Sequence, residues 1–178
     1  MSYSPLFAFI HVSNKFVASI LTEGYRPGRG DRSSAALNRR SIEQGFAPAY
    51  ASDDVAPSYG ALGHDAFDTN AGMYGNVAIE LRYSVLERST VCVGDSIIKM
   101  QAPVQHDCNV AQDLYARRGD EFVEVQTWTE VNRFDIEAIW VKDTVSNLDA
   151  IVAAADGIPV YAYKLNVETF QREWVRAN

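Results

Sequence analysis

The sequence has little cysteine, no basic leader and no long apolar run. Its 178 residues include only two cysteines, which allow one disulfide bridge at most, so we expect a protein that works under reducing conditions. The short apolar run near the N-terminus follows no basic cluster, and no apolar run approaches the length of a membrane span. We therefore predict a protein that has no membrane contact and is cytoplasmic, or is delivered into a target cell without a cleaved signal peptide.

Positive charge is also scarce. Sixteen Lys and Arg residues oppose 23 Asp and Glu residues, which gives a net charge of −7. This balance disfavours general binding to nucleic acid, which needs a positive surface. A local basic patch is still predicted, because five arginines lie within residues 26–40. The hydrophobic content of 47% fits one domain that spans residues 1–178.

Hydrophobic periodicity predicts a strand-rich middle flanked by short helices, and therefore an α+β fold. The predicted helices follow Ser13 and Ser146 and end at Gly24 and Gly157, and a closing helix carries Phe170 and Trp174 at i, i+4 spacing. Residues 47–72 are predicted to be a long functional loop, since they are rich in Ala, Gly, Pro, Ser and Asp. The predicted strands are residues 6–12, 74–83, 89–93, 122–128, 136–141 and 158–165.

Several common site signatures are missing. The sequence has neither a phosphate-binding G-x-x-x-x-G-K-[ST] loop nor a G-x-S-x-G nucleophile elbow. His106 and Cys108 form the only close His/Cys pair, and two further histidines are too few for a metal site without carboxylates. We predict no metal site, and we disfavour Cys108 as a nucleophile, because a residue two positions from its base rarely has the geometry for proton transfer.

The stretch "EFVEVQTW" places polar groups among aromatic rings. At a period of two, Val123, Val125 and Thr127 share one face of a strand. The other face carries Phe122, Glu124, Gln126 and Trp128. A carboxylate between large rings is exposed, paired with an arginine, or placed to act on a ligand, because burial of an unpaired charge is unfavourable.

Two other residues are candidates for ligand binding. His11 shares a strand face with Phe7 and Phe9 just before a helix, where it can bind an anionic or ribose-bearing ligand. Its alternative is a hydrogen-bonded core histidine. Tyr59 lies between Pro57-Ser58 and Gly60, in a loop where backbone can approach closely, and its alternative is a packed loop tyrosine.

The order of these elements resembles the ADP-ribosyltransferase superfamily. "FIHVSNKFVASILTEGYR" is similar to its opening element, a strand with His or Arg followed by a helix. "EFVEVQTW" with "FDIEAIWV" is similar to its closing element, in which the catalytic glutamate begins a late strand. "GYR", "APAY", "APSYGAL", "MYGNVAIELR" and "RSTVCVGDS" are similar, in order, to segments of an uncharacterised bacterial domain family with transferase-like features.

The resemblance implies a fold, a substrate and a set of roles. The fold is a split, antiparallel-rich β-sheet with flanking short helices, and the substrate is NAD. Glu124 would be catalytic and hold the 2′-hydroxyl of the nicotinamide ribose. His11 would bind ribose, Arg26 would bind the pyrophosphate, and Tyr59 or Tyr50 would stack on nicotinamide. Ser13 would also belong to the NAD-binding residues. The remaining residues of the stretch, Gln126, Phe122 and Trp128, would orient the acceptor and line a dry wall.

By the same resemblance, the chain is a mono-ADP-ribosyltransferase of the kind found among bacterial toxins and effectors. Members that modify arginine carry a second acid two positions before the catalytic glutamate. Phe122 occupies that position, so the macromolecular acceptor is expected to be a non-arginine side chain or a nucleic acid. The middle motif also differs, because no Ser-Thr-Ser run follows a strand at the expected place.

Three other functions remain open. The first is a module that binds NAD or ADP-ribose without transfer. The second is an interaction protein in which Glu124 pairs with an arginine and residues 47–72 bind a partner. The third is an NAD-dependent phosphotransferase that removes an RNA phosphate, which the arginines of residues 26–40 would serve.

Overall fold

The computed structural model describes residues 5–25, 41–45, 57–99, 101–165 and 172–178. Within these residues the chain is α+β, as predicted, and no helix is both long and apolar enough to span a membrane. The strands are β1 (Phe7–Val12), β2 (Ser58–Gly63), β3 (Val77–Leu81), β4 (Ser89–Val93), β5 (Val104–Gln105), β6 (Val123–Thr127), β7 (Ile136–Val141), β8 (Val160–Leu165) and β9 (Arg172–Arg176). The helices are α1 (Val17–Glu23), α2 (Tyr83–Leu86), α3 (Ser96–Lys99), α4 (Cys108–Ala116) and α5 (Leu148–Ala155), with 3₁₀ turns at Asn14–Phe16, Gly72–Tyr74 and Arg133–Asp135 and a helical segment at 41–45.

The nine strands pair in the order β5-β4-β6-β2-β1-β3-β7-β8-β9. All neighbouring pairs are antiparallel except β7 and β8. The sheet is therefore mostly antiparallel, as predicted. Strand β2 lies between β1 and β6, so a single strand separates the one that carries His11 from the one that carries Glu124.

One face of the sheet, which we call the core face, is apolar. Its central row joins Ile10, Ile79, Ile139 and Val160 on four neighbouring strands. Helices α1, α2, α4 and α5 cover this face with buried apolar side chains. Burial of a continuous apolar layer against helices is the main source of stability in a sheet of this kind.

The opposite face, which we call the polar face, carries His11, Glu80, Thr90, Glu124 and Gln126. Cross-strand pairing places these side chains in rows. One row runs from Cys92 through Glu124, Ala61 and Phe9 to Glu80, and the next joins Thr90, Gln126 and Tyr59. All five defining residues are nevertheless buried.

The structure corrects the predictions for the middle and the C-terminal end of the chain. Residues 58–63, within the predicted loop 47–72, form strand β2. The predicted closing helix around Trp174 is strand β9, which pairs with β8. Phe170 lies outside the described residues.

Of the four predicted helix ends, Gly24 is confirmed as the C-cap of α1, with φ of 81°, and the other three are wrong. Ser13 precedes a 3₁₀ turn, and its side chain makes no capping hydrogen bond. Helix α5 begins after Asn147 instead of Ser146, and Asp156 instead of Gly157 is its left-handed C-cap, with φ of 43° and ψ of 61°. Neither change alters the strands that carry the candidate site.

Candidate functional site

Glu124 lies in the middle of β6, and only 3% of its surface is exposed. Within the described chain, every hydrogen bond of its side chain uses Oε1. No arginine or lysine of the described residues contacts the carboxylate. The arginines of residues 26–40, with which the sequence left a pairing open, lie outside the described residues. Oε2 is left without a hydrogen-bond partner in this part of the chain and can accept from a ligand.

Ser96 and Gln126 hold the other oxygen. Ser96 Oγ donates to Glu124 Oε1 at 2.6 Å, and its backbone N–H adds a long contact of 3.4 Å. Gln126 Nε2 donates to the same oxygen at 2.9 Å. Ser96 begins α3 just after β4, so the turn at the end of one strand brings this hydroxyl over the neighbouring strand. The carboxylate is therefore fixed from two elements of the fold.

Two opposing effects act on the protonation of Glu124. Burial raises its pKa and the charge of Asp95 raises it further, whereas the hydrogen bonds from Ser96 and Gln126 lower it; the net shift is upward. Burial and the neighbouring Glu124 likewise raise the pKa of the Cys92 thiol, whose Sγ lies 3.8 Å from Oε1. Cys92 is therefore a neutral thiol beside the carboxyl group.

His11 is buried near the end of β1, with Nε2 at 2.9 Å from Thr69 Oγ1. Its Nδ1 has no hydrogen-bond partner among the described residues. Burial, with a smaller contribution from the charge of Lys142, lowers the pKa of His11 to about 4. The ring is therefore neutral at neutral pH and can hydrogen-bond a ligand without carrying charge.

Tyr59 lies on β2 directly opposite Gln126. Its hydroxyl donates to the carboxylate of Glu43, which belongs to the helical segment 41–45 and is itself buried. The predicted loop tyrosine is thus a strand residue. Because successive strands lie about 4.8 Å apart, the intervening β2 places the strands that carry His11 and Glu124 about 10 Å apart.

The other predicted residues are placed as follows. Trp128 is buried just after β6, and its indole N–H donates to Thr90 Oγ1 at 2.9 Å. Phe122 packs its ring edge-on against Tyr74, with centroids 6.0 Å apart. Gln126, predicted to orient an acceptor, has both ends of its amide hydrogen-bonded within the protein. Arg26 and Tyr50 lie outside the described residues.

Sequence reasoning missed the polar partners of the site. Ser96, Thr90 and Glu43 contact predicted site residues from other elements. Only Thr90 had a usable signal, because Thr90 and Cys92 share one face of the predicted strand 89–93. Ser96 looked like an ordinary turn residue after Gly94.

A separate cleft of about 580 Å³ opens at the start of β1, away from Glu124. Leu6, Phe7, Glu80, Tyr83 and Cys108 are among its lining residues, and no predicted site residue is. In the described part of the chain, no group of three or more His, Cys, Asp or Glu side chains could hold a metal ion. Cys92 and Cys108 are both free thiols.

The comparisons with known proteins add no family to this geometry. No protein-family model matches the chain, and no curated protein matches it.

Proposed function

We propose that the chain is an NAD-dependent mono-ADP-ribosyltransferase with Glu124 as its catalytic residue. The observation that carries the proposal is the buried Glu124 carboxylate, which has one oxygen held by Ser96 and Gln126 and the other without a hydrogen-bond partner among the described residues. A carboxylate in this setting suits a substrate that presents a hydroxyl and develops positive charge. His11 and Tyr59 lie on the same sheet face, on the next two strands.

The reaction separates nicotinamide from ribose. The bond between ribose C1′ and the nicotinamide nitrogen breaks, and its electron pair leaves with nicotinamide. Glu124 Oε2 accepts the 2′-hydroxyl hydrogen and stabilises the positive charge that spreads over C1′ and the ring oxygen. A nucleophilic atom of the acceptor then bonds to C1′ and loses its proton to water.

His11 and Tyr59 serve binding in this proposal. Neutral His11 offers Nδ1 to a ribose hydroxyl, because its other ring nitrogen contacts Thr69. Tyr59 offers its ring to nicotinamide while its hydroxyl is held by Glu43. Arg26, Tyr50 and Ser13 are assigned to NAD from the sequence resemblance alone.

The acceptor in this proposal is a non-arginine group of a protein or nucleic acid. Phe122 stands where arginine-modifying relatives of the superfamily carry a second acid, and its ring packs against Tyr74. An incoming guanidinium would therefore meet a ring there instead of a carboxylate. A role as a bacterial toxin or effector rests on the resemblance alone.

The test measures NAD binding by calorimetry and nicotinamide release by chromatography, for the wild-type protein, Glu124→Gln and Glu137→Gln. Glu137 is an exposed carboxylate on β7 and serves as the matched control. We expect Glu124→Gln to bind NAD but to release nicotinamide at least about 100-fold more slowly, because an amide cannot stabilise the positive charge. Glu137→Gln should behave as the wild-type protein does.

The other outcomes separate the alternatives. Wild-type protein that binds NAD without releasing nicotinamide would support the binding module that the sequence left open. If wild-type protein does not bind NAD and Glu124→Gln lowers only stability, the transferase proposal fails and the interaction protein replaces it.

A further inference from the structure

A chain of three hydrogen bonds leads from Trp128 to Glu124. Trp128 Nε1 donates to Thr90 Oγ1 at 2.9 Å, Thr90 Oγ1 donates to Gln126 Oε1 at 3.0 Å, and Gln126 Nε2 donates to Glu124 Oε1 at 2.9 Å. All four residues are at least nine-tenths buried. Thr90 and Gln126 are direct cross-strand partners, so the pairing of β4 with β6 holds the middle of the chain.

The direction of this chain is set at its first residue. An indole N–H can only donate, so Thr90 Oγ1 accepts there and has its single hydrogen left for Gln126 Oε1. That bond turns the amide so that its NH₂ group faces Glu124. A reversed amide would place two oxygens 2.9 Å apart, which is unfavourable for the ionised carboxylate because it has no hydrogen to donate.

Ser96 continues the same direction of hydrogen-bond donation towards Glu124. Its Oγ accepts from Gln126 Nε2 at 2.6 Å and therefore gives its own hydrogen to Glu124 Oε1, also at 2.6 Å. The carboxylate oxygen thus receives two short hydrogen bonds whose direction begins at Trp128. Charge-assisted bonds of this kind are about twice as strong as neutral ones.

We propose that Trp128 and Thr90 are positioning residues, whose hydrogen bonds orient the Gln126 amide and so favour the ionised form of Glu124, with Oε2 left for a hydroxyl-bearing ligand. The effect of these hydrogen bonds on the Glu124 carboxylate does not depend on whether the protein is an enzyme. Its contribution to NAD turnover rests on the proposed function.

Among the described residues, the hydrogen bonds from Ser96 and then Gln126 are what lower the pKa of Glu124 and so favour its ionised form. Asp95 faces it from the turn after β4 and raises its pKa, whereas Cys92 on β4 donates only a long thiol hydrogen bond of 3.8 Å to Oε1. From β2, Ala61 lies directly opposite, and Tyr59 with Glu43 lies beside Gln126. Among the described residues no cation contacts the carboxylate. Loss of the hydrogen bonds that begin at Trp128 should therefore raise the pKa of Glu124.

Thr90→Val tests the proposal with a matched control. Valine keeps the shape of threonine but cannot accept from Trp128 or donate to Gln126. Thr127→Val is the control, because Thr127 lies on the same strand pair, is equally buried, and bonds to Ser89 on the core face. The measurement is a ¹³C NMR titration of the glutamate carboxyl groups, with Glu124 assigned through Glu124→Gln.

We expect Thr90→Val to raise the pKa of Glu124 by about one pH unit, which corresponds to the loss of one hydrogen bond to a charged group. Thr127→Val should leave it unchanged. Trp128→Phe, which keeps an aromatic ring and removes the N–H together with part of the indole, should shift the pKa in the same direction by less. It replaces Thr90→Val in the test if that variant does not fold. An unchanged Glu124 pKa in a folded variant of either kind overturns the proposal.

Turnover of NAD distinguishes this proposal from the proposed function. If the wild-type protein releases nicotinamide, Thr90→Val should lower kcat with little change in KM and move the acidic limb of the pH profile upward. If neither the wild-type protein nor any variant binds NAD but Thr90→Val still raises the pKa of Glu124, the proposed function fails and the positioning role of Trp128 and Thr90 is retained. If the wild-type protein turns over NAD but the pKa of Glu124 is unchanged in Thr90→Val, the positioning proposal fails and the proposed function is retained.

Discussion

The two faces of the sheet are equally buried around β6 but differ in chemistry. On the core face, Val123 and Val125 join an apolar layer covered by four helices. On the polar face, Glu124 and Gln126 from the same strand join a network of hydrogen bonds. A strand that alternates at a period of two can therefore stabilise the fold with one face and position a carboxylate with the other.

The difference also shows which residues can change without loss of the fold. The core face draws its stability from packing, so the size and shape of each side chain matter. The polar face depends instead on the orientation of its hydrogen bonds, since each buried donor needs an acceptor at the right position. We expect substitutions on the first face to reduce stability and isosteric substitutions on the second to change pKa values.

The largest effect is expected from Ile139→Ala on the core face. Ile139 is fully buried between Ile79 and Val160, so its truncation leaves a cavity and should lower the free energy of unfolding by about 2–5 kcal/mol. Trp140→Phe is the comparison on the polar face, because the neighbouring side chain keeps an aromatic ring beside Tyr161 and loses its 2.7 Å hydrogen bond to Glu80.

We expect about 1–3 kcal/mol for that lost bond, and urea denaturation measures both variants. An Ile139→Ala loss smaller than that of Trp140→Phe would show that packing on the core face contributes less to stability than the hydrogen bonds of the polar face.

The sequence predicted the strands that are rich in β-branched residues, and it missed β2 for a physical reason. "SYGALG" contains two glycines and no β-branched residue, which is typical of a loop. In the structure, a Cβ on Gly60 would lie 2.7 Å from the carbonyl oxygen of Phe9. The glycine is therefore needed for the close approach of β2 to β1, a requirement that only the pairing reveals.

The prediction for the C-terminal segment was wrong for a related reason. Phe170 and Trp174 have helical spacing, but β9 is defined by its pairing with β8, where Trp174 lies opposite Tyr163. Its ring also stacks on Phe67, more than 100 positions earlier in the chain. Contacts of this range override local periodicity, and no window of the sequence contains them.

The candidate site was predictable as a strand face but not as a network. Alternation alone placed Glu124 and Gln126 together, because neighbouring positions of equal parity share a face. The contact with Ser96 joins residues 28 positions apart. The burial that leaves His11 neutral likewise depends on Thr69 and Phe67, which lie in the connection after β2.

A change of pH is expected to alter the free energy of unfolding by less than the core truncation does. On the polar face, His11 and the buried glutamates contribute to this change with opposite signs. Burial lowers the pKa of His11 from 6.5 to about 4, so the unfolded chain binds a proton more readily in this window. The stability that neutral His11 contributes is present above pH 6.5 and is lost as the pH falls towards 4. The loss should reach at most on the order of 3 kcal/mol. Glu124 and Glu80 act in the other direction, because their raised pKa values favour folding most at low pH.

Urea denaturation from neutral to acidic pH measures this balance. His11→Gln should lose less stability than the wild-type protein as the pH falls, and Glu124→Gln should lose more. Parallel curves for all three proteins would show that neither group titrates differently in the folded and unfolded states.

The smallest effect is expected at the surface, from the ion pair between Arg82 and Glu137. Their charged atoms are 3.5 Å apart, and more than half of each side chain is exposed. Water and salt screen such a pair, so a double-mutant cycle of Arg82→Ala and Glu137→Ala should give a coupling of at most about 1 kcal/mol, decreasing as salt is added. A larger, salt-independent coupling would mean that the pair is shielded from water, as Glu124 is. The comparison would then change, because strong electrostatic effects would no longer be confined to the carboxylates buried on the polar face.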